Sequence, residues 1–478
     1  MRRWVVVAAL LAGGPAWGAA PEPSAPPPEI DPLEKELFGD PDEPEVTPPP
    51  TGDAPPVDDG AGDDDPFSTL DSKPIVIEED PLTIGGQLYL RLGATINDRG
   101  SAGEQRLSMP NLVDVYLDAR PEDRVRGFVS GRLYFDPTID EGEASLLGTS
   151  QEVTRVLLDQ LWLKTDIARR VFLTVGQERI KWGSSRIWNP TDFINARRKD
   201  PLAFFDERTG VPMIKAHIPI ESWNLYVIGL FGQADRLDAI GAAARLEMAF
   251  EATEIAVSAL AGDERKTSFG LDLSTALGDF DVTAEVSLTD EHDTLVYEGD
   301  CCSFDPPVFP SARARDAWVA RFSAGIQYGF KVDSEDDAQY VGLEYFYNPL
   351  GYDDPDIYPW LLVNDAFEPF YLGRHYLGFN WVVPAPGRWD DVTFSFAFIG
   401  NLSDESYVTR LDFVASLHTR LTLQAYAQAH FGHRGGELRL AFDVPDIPAI
   451  PGVVDEPIEA FSVPAPAVLL GLNLRIAL

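Results

Sequence analysis

From Ile84 onward, apolar and polar residues alternate with a period of two. Leu88, Leu90, Leu92, Ala94 and Ile96 share one face; Gln87, Tyr89, Arg91, Gly93 and Thr95 share the other. That period belongs to a strand with one face in an apolar medium and the other in water. Val113, Val115, Leu117 and Ala119 repeat it opposite Asp114, Tyr116, Asp118 and Arg120. The same pattern predicts strands near 125–135, 154–165, 170–181, 212–220, 223–232, 240–250, 253–262, 266–277 and 279–289. It continues near 317–330, 339–348, 371–382, 390–400, 406–417, 420–432 and 465–478, which makes 18 in all.

The connections carry the next inference. Short ones, such as Pro121–Arg124, Glu221–Ser222, Glu251–Ala252 and Gly278–Asp279, tend to alternate with long ones spanning roughly 97–110, 137–152, 183–211, 290–316, 349–370 and 433–464. An even strand count with short turns at one end and long loops at the other is the plan of a transmembrane antiparallel β-barrel. In lipid no edge strand can leave its backbone unpaired, so the first and last strands must meet. The last strand alternates Val468, Leu470, Leu472, Leu474, Ile476 and Leu478 with smaller or polar residues. It resembles the terminal signal strand read by the barrel-assembly machinery, with Leu478 where Phe or Trp is usual. Trp162, Trp223, Phe231, Phe250, Phe280, Trp318, Phe330, Tyr347, Tyr371 and Trp381 lie near strand ends and are expected to form interfacial girdles.

Composition adds the compartment. Arg2-Arg3, the apolar run Trp4–Leu11 and the small residues Ala16–Ala20 read as a signal peptide over 1–20. Beyond it, no apolar run reaches the length of a membrane-spanning helix. Residues 21–80 hold 19 acidic residues and two lysines, and so supply −17 of the net charge of −39. This Pro-rich, acidic stretch is expected to be a disordered linker ahead of a barrel over 81–478. Nucleic acid is excluded as a partner by charge. Two adjacent cysteines, Cys301-Cys302, make no disulfide framework. Neither a metal nor a cofactor is expected.

The polar faces of the strands offer Arg91, Arg132, Arg321, Arg374 and Arg410 as pore-lining groups, mixed with carboxylates and tyrosines. Rings of Arg and Lys select anions, whereas mixed charges also brace a barrel by ion pairs. One long connection stands apart. Arg179, Lys181, Arg186, Arg197, Arg198 and Lys199 fall within 21 residues, around Asp192, in a strongly acidic protein. Folded inward, this segment would form a constriction and raise its positive potential. Facing outward, it would meet lipopolysaccharide.

Gly176-Gln177-x-x-Ile180-x-Trp182-Gly183, followed by Trp188-Asn189-Pro190-Thr191-Asp192-Phe193, resembles the motif of the alginate-export-like family of outer-membrane barrels. The resemblance implies an 18-stranded barrel with a charged, partly occluded lumen, in which Arg179, Lys181 and Arg186 line the constriction. The expected function is an outer-membrane channel that passes small polar or anionic solutes or exports a polysaccharide. The alternative is a structural or adhesion barrel whose acidic tail recruits a periplasmic partner. An outer-membrane hydrolase comes last, because His217, His375 and His430 sit in no catalytic constellation.

Overall fold

The computed structural model describes residues 81–98, 105–139, 152–195, 198–203, 207–232, 236–262, 265–301, 303–304, 307–332, 337–446 and 460–478. The expected signal peptide, the acidic linker, Arg197 and Cys302 lie outside the described residues.

Eighteen antiparallel strands close on themselves. They are β1 (Leu82–Asn97), β2 (Asn111–Glu122), β3 (Val125–Phe135), β4 (Thr154–Ile167), β5 (Val171–Glu178) and β6 (Val211–Ile220). Next come β7 (Trp223–Leu230), β8 (Gly241–Phe250), β9 (Thr253–Gly262), β10 (Arg265–Leu277), β11 (Phe280–Asp290) and β12 (Trp318–Phe330). The wall is completed by β13 (Gln339–Tyr347), β14 (His375–Pro384), β15 (Val392–Asn401), β16 (Ser406–His418), β17 (Leu421–Gly432) and β18 (Pro466–Ala477). Closure runs in register from Gln87↔Ala477 to Ile96↔Val468, which satisfies the edges of both terminal strands.

The period of two sets the faces. Leu90, Leu92, Leu470 and Leu472 are exposed on the outside, while Tyr89 and Asn473 are buried inside. A closed sheet with an apolar outer wall and a polar interior is the form of a membrane-spanning β-barrel. Trp223, Phe250, Phe280, Trp318 and Trp381 stand on that outer wall. Two expected girdle residues do not. Trp162 points inward and stacks on Phe128 at 5.2 Å, with the Lys164 ammonium 4.4 Å from its ring. Tyr371 is buried in a loop against Phe346. Aromatic residues near a strand end mark an interface only when the strand's register turns them outward.

Strand positions match the alternation, with two informative shifts. Strand β5 stops at Glu178 rather than running to 181, because Glu178 is clamped between Lys164 at 2.8 Å and Lys215 at 2.6 Å and the chain then leaves the wall. Strand β14 begins at His375, not near 371. Residues 371–373 are held in the loop cap instead: Asn348 Nδ2 donates to the Tyr371 carbonyl, and the Gly373 N–H donates to the Tyr376 hydroxyl. Arg374 is therefore not in the lumen wall. It is half-exposed beside Asp353 at 2.7 Å.

The long loops build a cap at one end. It contains the short helix α1 (Tyr358–Val363), two-residue to five-residue β-pairings, and an apolar cluster of Tyr297, Tyr358, Leu361, Leu372 and Leu440. At its base lies Glu437, which is fully buried. Its carboxylate accepts from the Tyr376 hydroxyl at 2.5 Å and from Asn401 Nδ2 at 2.8 Å, and its N–H donates to Asp404 Oδ2. Burial, together with the Asp404 charge, pushes this carboxyl up to about 8. Folding therefore favours the protonated form. The stabilisation is whole below the ordinary value of 4.5 and is lost as pH climbs through about 8. The melting temperature of the wild type is expected to fall between about pH 5 and about pH 9, and Glu437→Gln is expected to flatten that fall. Thermal scans of both proteins across that range check it.

Candidate functional site

The segment 179–210 leaves β5 and returns to β6, and between them it crosses the barrel interior. Its polar backbone has to be satisfied there, away from bulk water. The wall supplies the partners. Glu285 on β11 is 0 % exposed and accepts from the Ser185 N–H at 2.6 Å, Asn189 Nδ2 at 3.0 Å and the Thr191 hydroxyl at 2.7 Å. Thr191 also contacts Asp272 on β10. Glu344 on β13 accepts from the N–H groups of Arg186 (3.0 Å), Ile187 (3.1 Å) and Trp188 (2.7 Å). Among the described residues no ion pair reaches Glu285 or Glu344; both carboxylates are balanced by N–H and O–H dipoles.

The motif residues are parts of this anchor. Gly183 has φ +98°, and a Cβ there would lie 2.7 Å from Glu285 Oε1, so only glycine lets the chain pass the carboxylate. Trp188 is fully buried, stacks on Phe346 at 5.7 Å and donates from Nε1 to the Phe370 carbonyl. Trp182 packs with Ile194, Met213, Ile228 and Leu230. Asn189 Nδ2 also donates to the Ser185 carbonyl at 2.6 Å, and the Asp192 N–H to the Asn189 carbonyl, which makes the stretch through Pro190 a fixed turn. Gln177 holds the start of the segment through the carbonyls of Leu158 and Asp159. Gly176, at φ +130°, lies against the backbone of Leu161.

The opposite wall binds the other end. Arg91 on β1 pairs with Glu207 at 2.7 Å, and Arg132 on β3 donates to the Glu207 carbonyl at 2.7 Å. Arg132 is also paired with Asp114 at 2.9 Å. Arg410 on β16 donates to the Leu202 carbonyl, pairs with Asp412, and lies 3.9 Å from the Tyr426 ring centroid. The segment thus touches walls on every side of the lumen.

The expected constriction cations are arranged as follows. Arg179 is doubly bonded to Asp159, at 3.0 and 2.6 Å. Arg198 faces Glu368 at 3.4 Å and the Tyr371 ring. Lys199 donates to the Arg186 carbonyl. Lys181 is half-buried, and Arg321 pairs with Glu291 at 2.7 Å. Asp192 is buried within the segment, where it accepts from Arg208 at 2.8 Å and from Asn195. The Arg186 guanidinium is exposed and forms no ion pair among the described residues. The alternation of apolar and polar residues puts Asp272, Glu285 and Glu344 on the polar face of their strands and signals no role for them. Their partners lie 81 to 158 residues away in the chain, and no local pattern signals such a pairing.

The sequence matches no protein-family model, and no curated protein matches it. Solved structures do. The chain is similar to OccAB4 of Acinetobacter baumannii, at 10% identity and a TM-score of 0.50, covering 84% of this chain and 99% of that one. It is also similar to the outer membrane protein opdK of Pseudomonas aeruginosa (8%, TM-score 0.47) and to a BenF-like porin of Pseudomonas fluorescens Pf-5 (12%, TM-score 0.47). Each of these alignments covers 83% of this chain and 98% of the other. At this identity the likeness is one of fold: a porin-like barrel of the outer membrane.

Replacing Glu344 by Leu leaves the buried Trp188 N–H and the part-buried N–H groups of Arg186 and Ile187 without this acceptor, at about 1–3 kcal/mol for the buried one. Hydrogen exchange at 186–188 is expected to rise more than tenfold (about 1.4 kcal/mol per tenfold). Glu344→Gln keeps an acceptor and is expected to show a smaller rise; exchange measured by mass spectrometry on folded protein checks both.

Proposed function

We propose that the protein is a passive outer-membrane channel for small polar solutes, and that the segment 179–210 sets what passes. One observation carries this reading: the segment is tied by Glu285 and Glu344 on one wall and by Arg91, Arg132 and Arg410 on the other. A loop so held narrows a lumen without needing to move. An adhesion barrel has no use for an interior strut of this kind.

The same geometry bears on charge. Arg91, Arg132, Arg179, Arg198, Arg321 and Arg410 each face a carboxylate. The positive field at the segment is therefore weaker than the run of basic residues implies, and the segment itself discriminates by size and polarity more than by sign of charge. The motif over 176–193 suggests an alginate-export-like barrel and hence a polysaccharide exit. We favour small solutes, because a strut fixed to opposite walls divides the space a polymer would need.

Single-channel recordings in planar bilayers test this. The wild type is expected to conduct, and deletion of 184–210 to raise the conductance roughly twofold or more, as the open cross-section grows. Folded protein that passes no current in either form would overturn the reading, and equal conductance would remove the segment from the permeation path.

A further inference from the structure

Below the strut, toward the short turns, the lumen holds a cavity of about 430 Å³. Its wall is acidic. Glu251 in the β8–β9 turn, Glu254 on β9 and Asp281 on β11 are exposed and line it, and none of the three forms an ion pair among the described residues. Carboxylates gathered in a concave, low-dielectric vestibule focus a negative potential that concentrates cations. Acidic groups alone would be a solvated rim. A second observation separates this cavity from a rim. Gln327 on β12 also lines it; its side chain is only 6 % exposed, and its Oε1 is buried with no hydrogen-bond partner. A buried acceptor left unsatisfied is costly unless something supplies a donor. Asn380 belongs to the same lining. At the roof is Arg186, carried down by the strut, with its backbone fixed on Glu344 and its guanidinium exposed.

We propose that this vestibule is a binding subsite for small zwitterions that carry a protonated amine and a carboxylate. The ammonium sits among Glu251, Glu254 and Asp281 and donates to Gln327 Oε1. The carboxylate meets Arg186, whose planar fork suits a two-point contact. This assignment rests on the channel reading, because it names the solute class that the lumen favours. It also gives the strut a second part to play, since the strut positions the one cation of the site. The carboxylates outnumber that cation, so the amine contributes more to binding than the carboxylate does.

The test is calorimetric titration of the full mature protein in detergent, with γ-aminobutyrate as probe and butyrate and propylammonium as its singly charged halves. The wild type is expected to bind γ-aminobutyrate more tightly than propylammonium, and butyrate least. Glu254→Gln with Asp281→Asn is expected to weaken γ-aminobutyrate roughly tenfold, the loss of about one charge-assisted contact. Arg186→Gln is expected to bring γ-aminobutyrate down to the level of propylammonium. Gln327→Leu is expected to weaken both amines and leave their order intact. The exposed carboxylates and Arg186 carry little of the fold, and heat-shifted gel mobility verifies each barrel. Equal binding of the three probes, no binding, or variants that bind like the wild type would each overturn the proposal. A protein that conducts but does not prefer γ-aminobutyrate overturns this inference and leaves the channel; binding without conduction overturns the channel reading and leaves the site.

Discussion

The structure depends on two buried carboxylates meeting a row of backbone N–H groups. Glu285 and Glu344 stand on the lumen face of β11 and β13, the two strands that flank β12, and the chain from Ser185 to Thr191 lays its donors on them. Unlike an isolated buried ion pair, this arrangement needs no cationic side chain: neutral N–H and O–H groups meet each carboxylate. It also answers the constraint that any chain inside a barrel faces, namely that every buried polar backbone group requires a partner. Gly183 and Trp188 follow from it: the first lets the backbone approach Glu285, and the second seals the approach to Glu344 against Phe346.

The strut is electrically matched to the walls it crosses. Its Glu207 end lies against Arg91 and Arg132, and its amide-rich turn lies against the acidic β10–β13 wall. Reversing either end would put like charge or unpaired groups in contact. The match fixes the segment's direction across the lumen, and it leaves an acid-lined vestibule on the side toward the short turns, with Arg186 above it. The segment is thus a rigid element with unlike faces.

The strand positions were legible because lipid on one side and water on the other impose a period of two that no other arrangement produces over so many segments. That signal held even where strand ends moved. It could not tell that β5 would release the chain at Glu178, because the apolar alternation runs on through Ile180; the clamp by Lys164 and Lys215 comes from other strands. It could not place Trp162, since an aromatic ring fits a lumen face as readily as an interface. The motif around Trp188-Asn189-Pro190 was visible as a fixed turn, and it is one. Its anchors were not visible, because Glu285 and Glu344 lie 100 and 158 residues along the chain from the groups they hold and meet them only in the folded barrel. The basic cluster read as a source of positive potential; the partners Asp159, Glu368 and Glu207 that blunt the field around it can be seen only in three dimensions.

Cross-linking within the lumen addresses the strut most directly. The hydroxyls of Ser185 and Ser323 are 3.1 Å apart, one on the segment and one on β12. In outer membranes carrying Ser185→Cys with Ser323→Cys, mild oxidation is expected to join the two positions in nearly all folded protein and to shield both from a bulky external maleimide. Thiols that stay unjoined and label readily from outside would place the segment beyond the lumen and contradict the account.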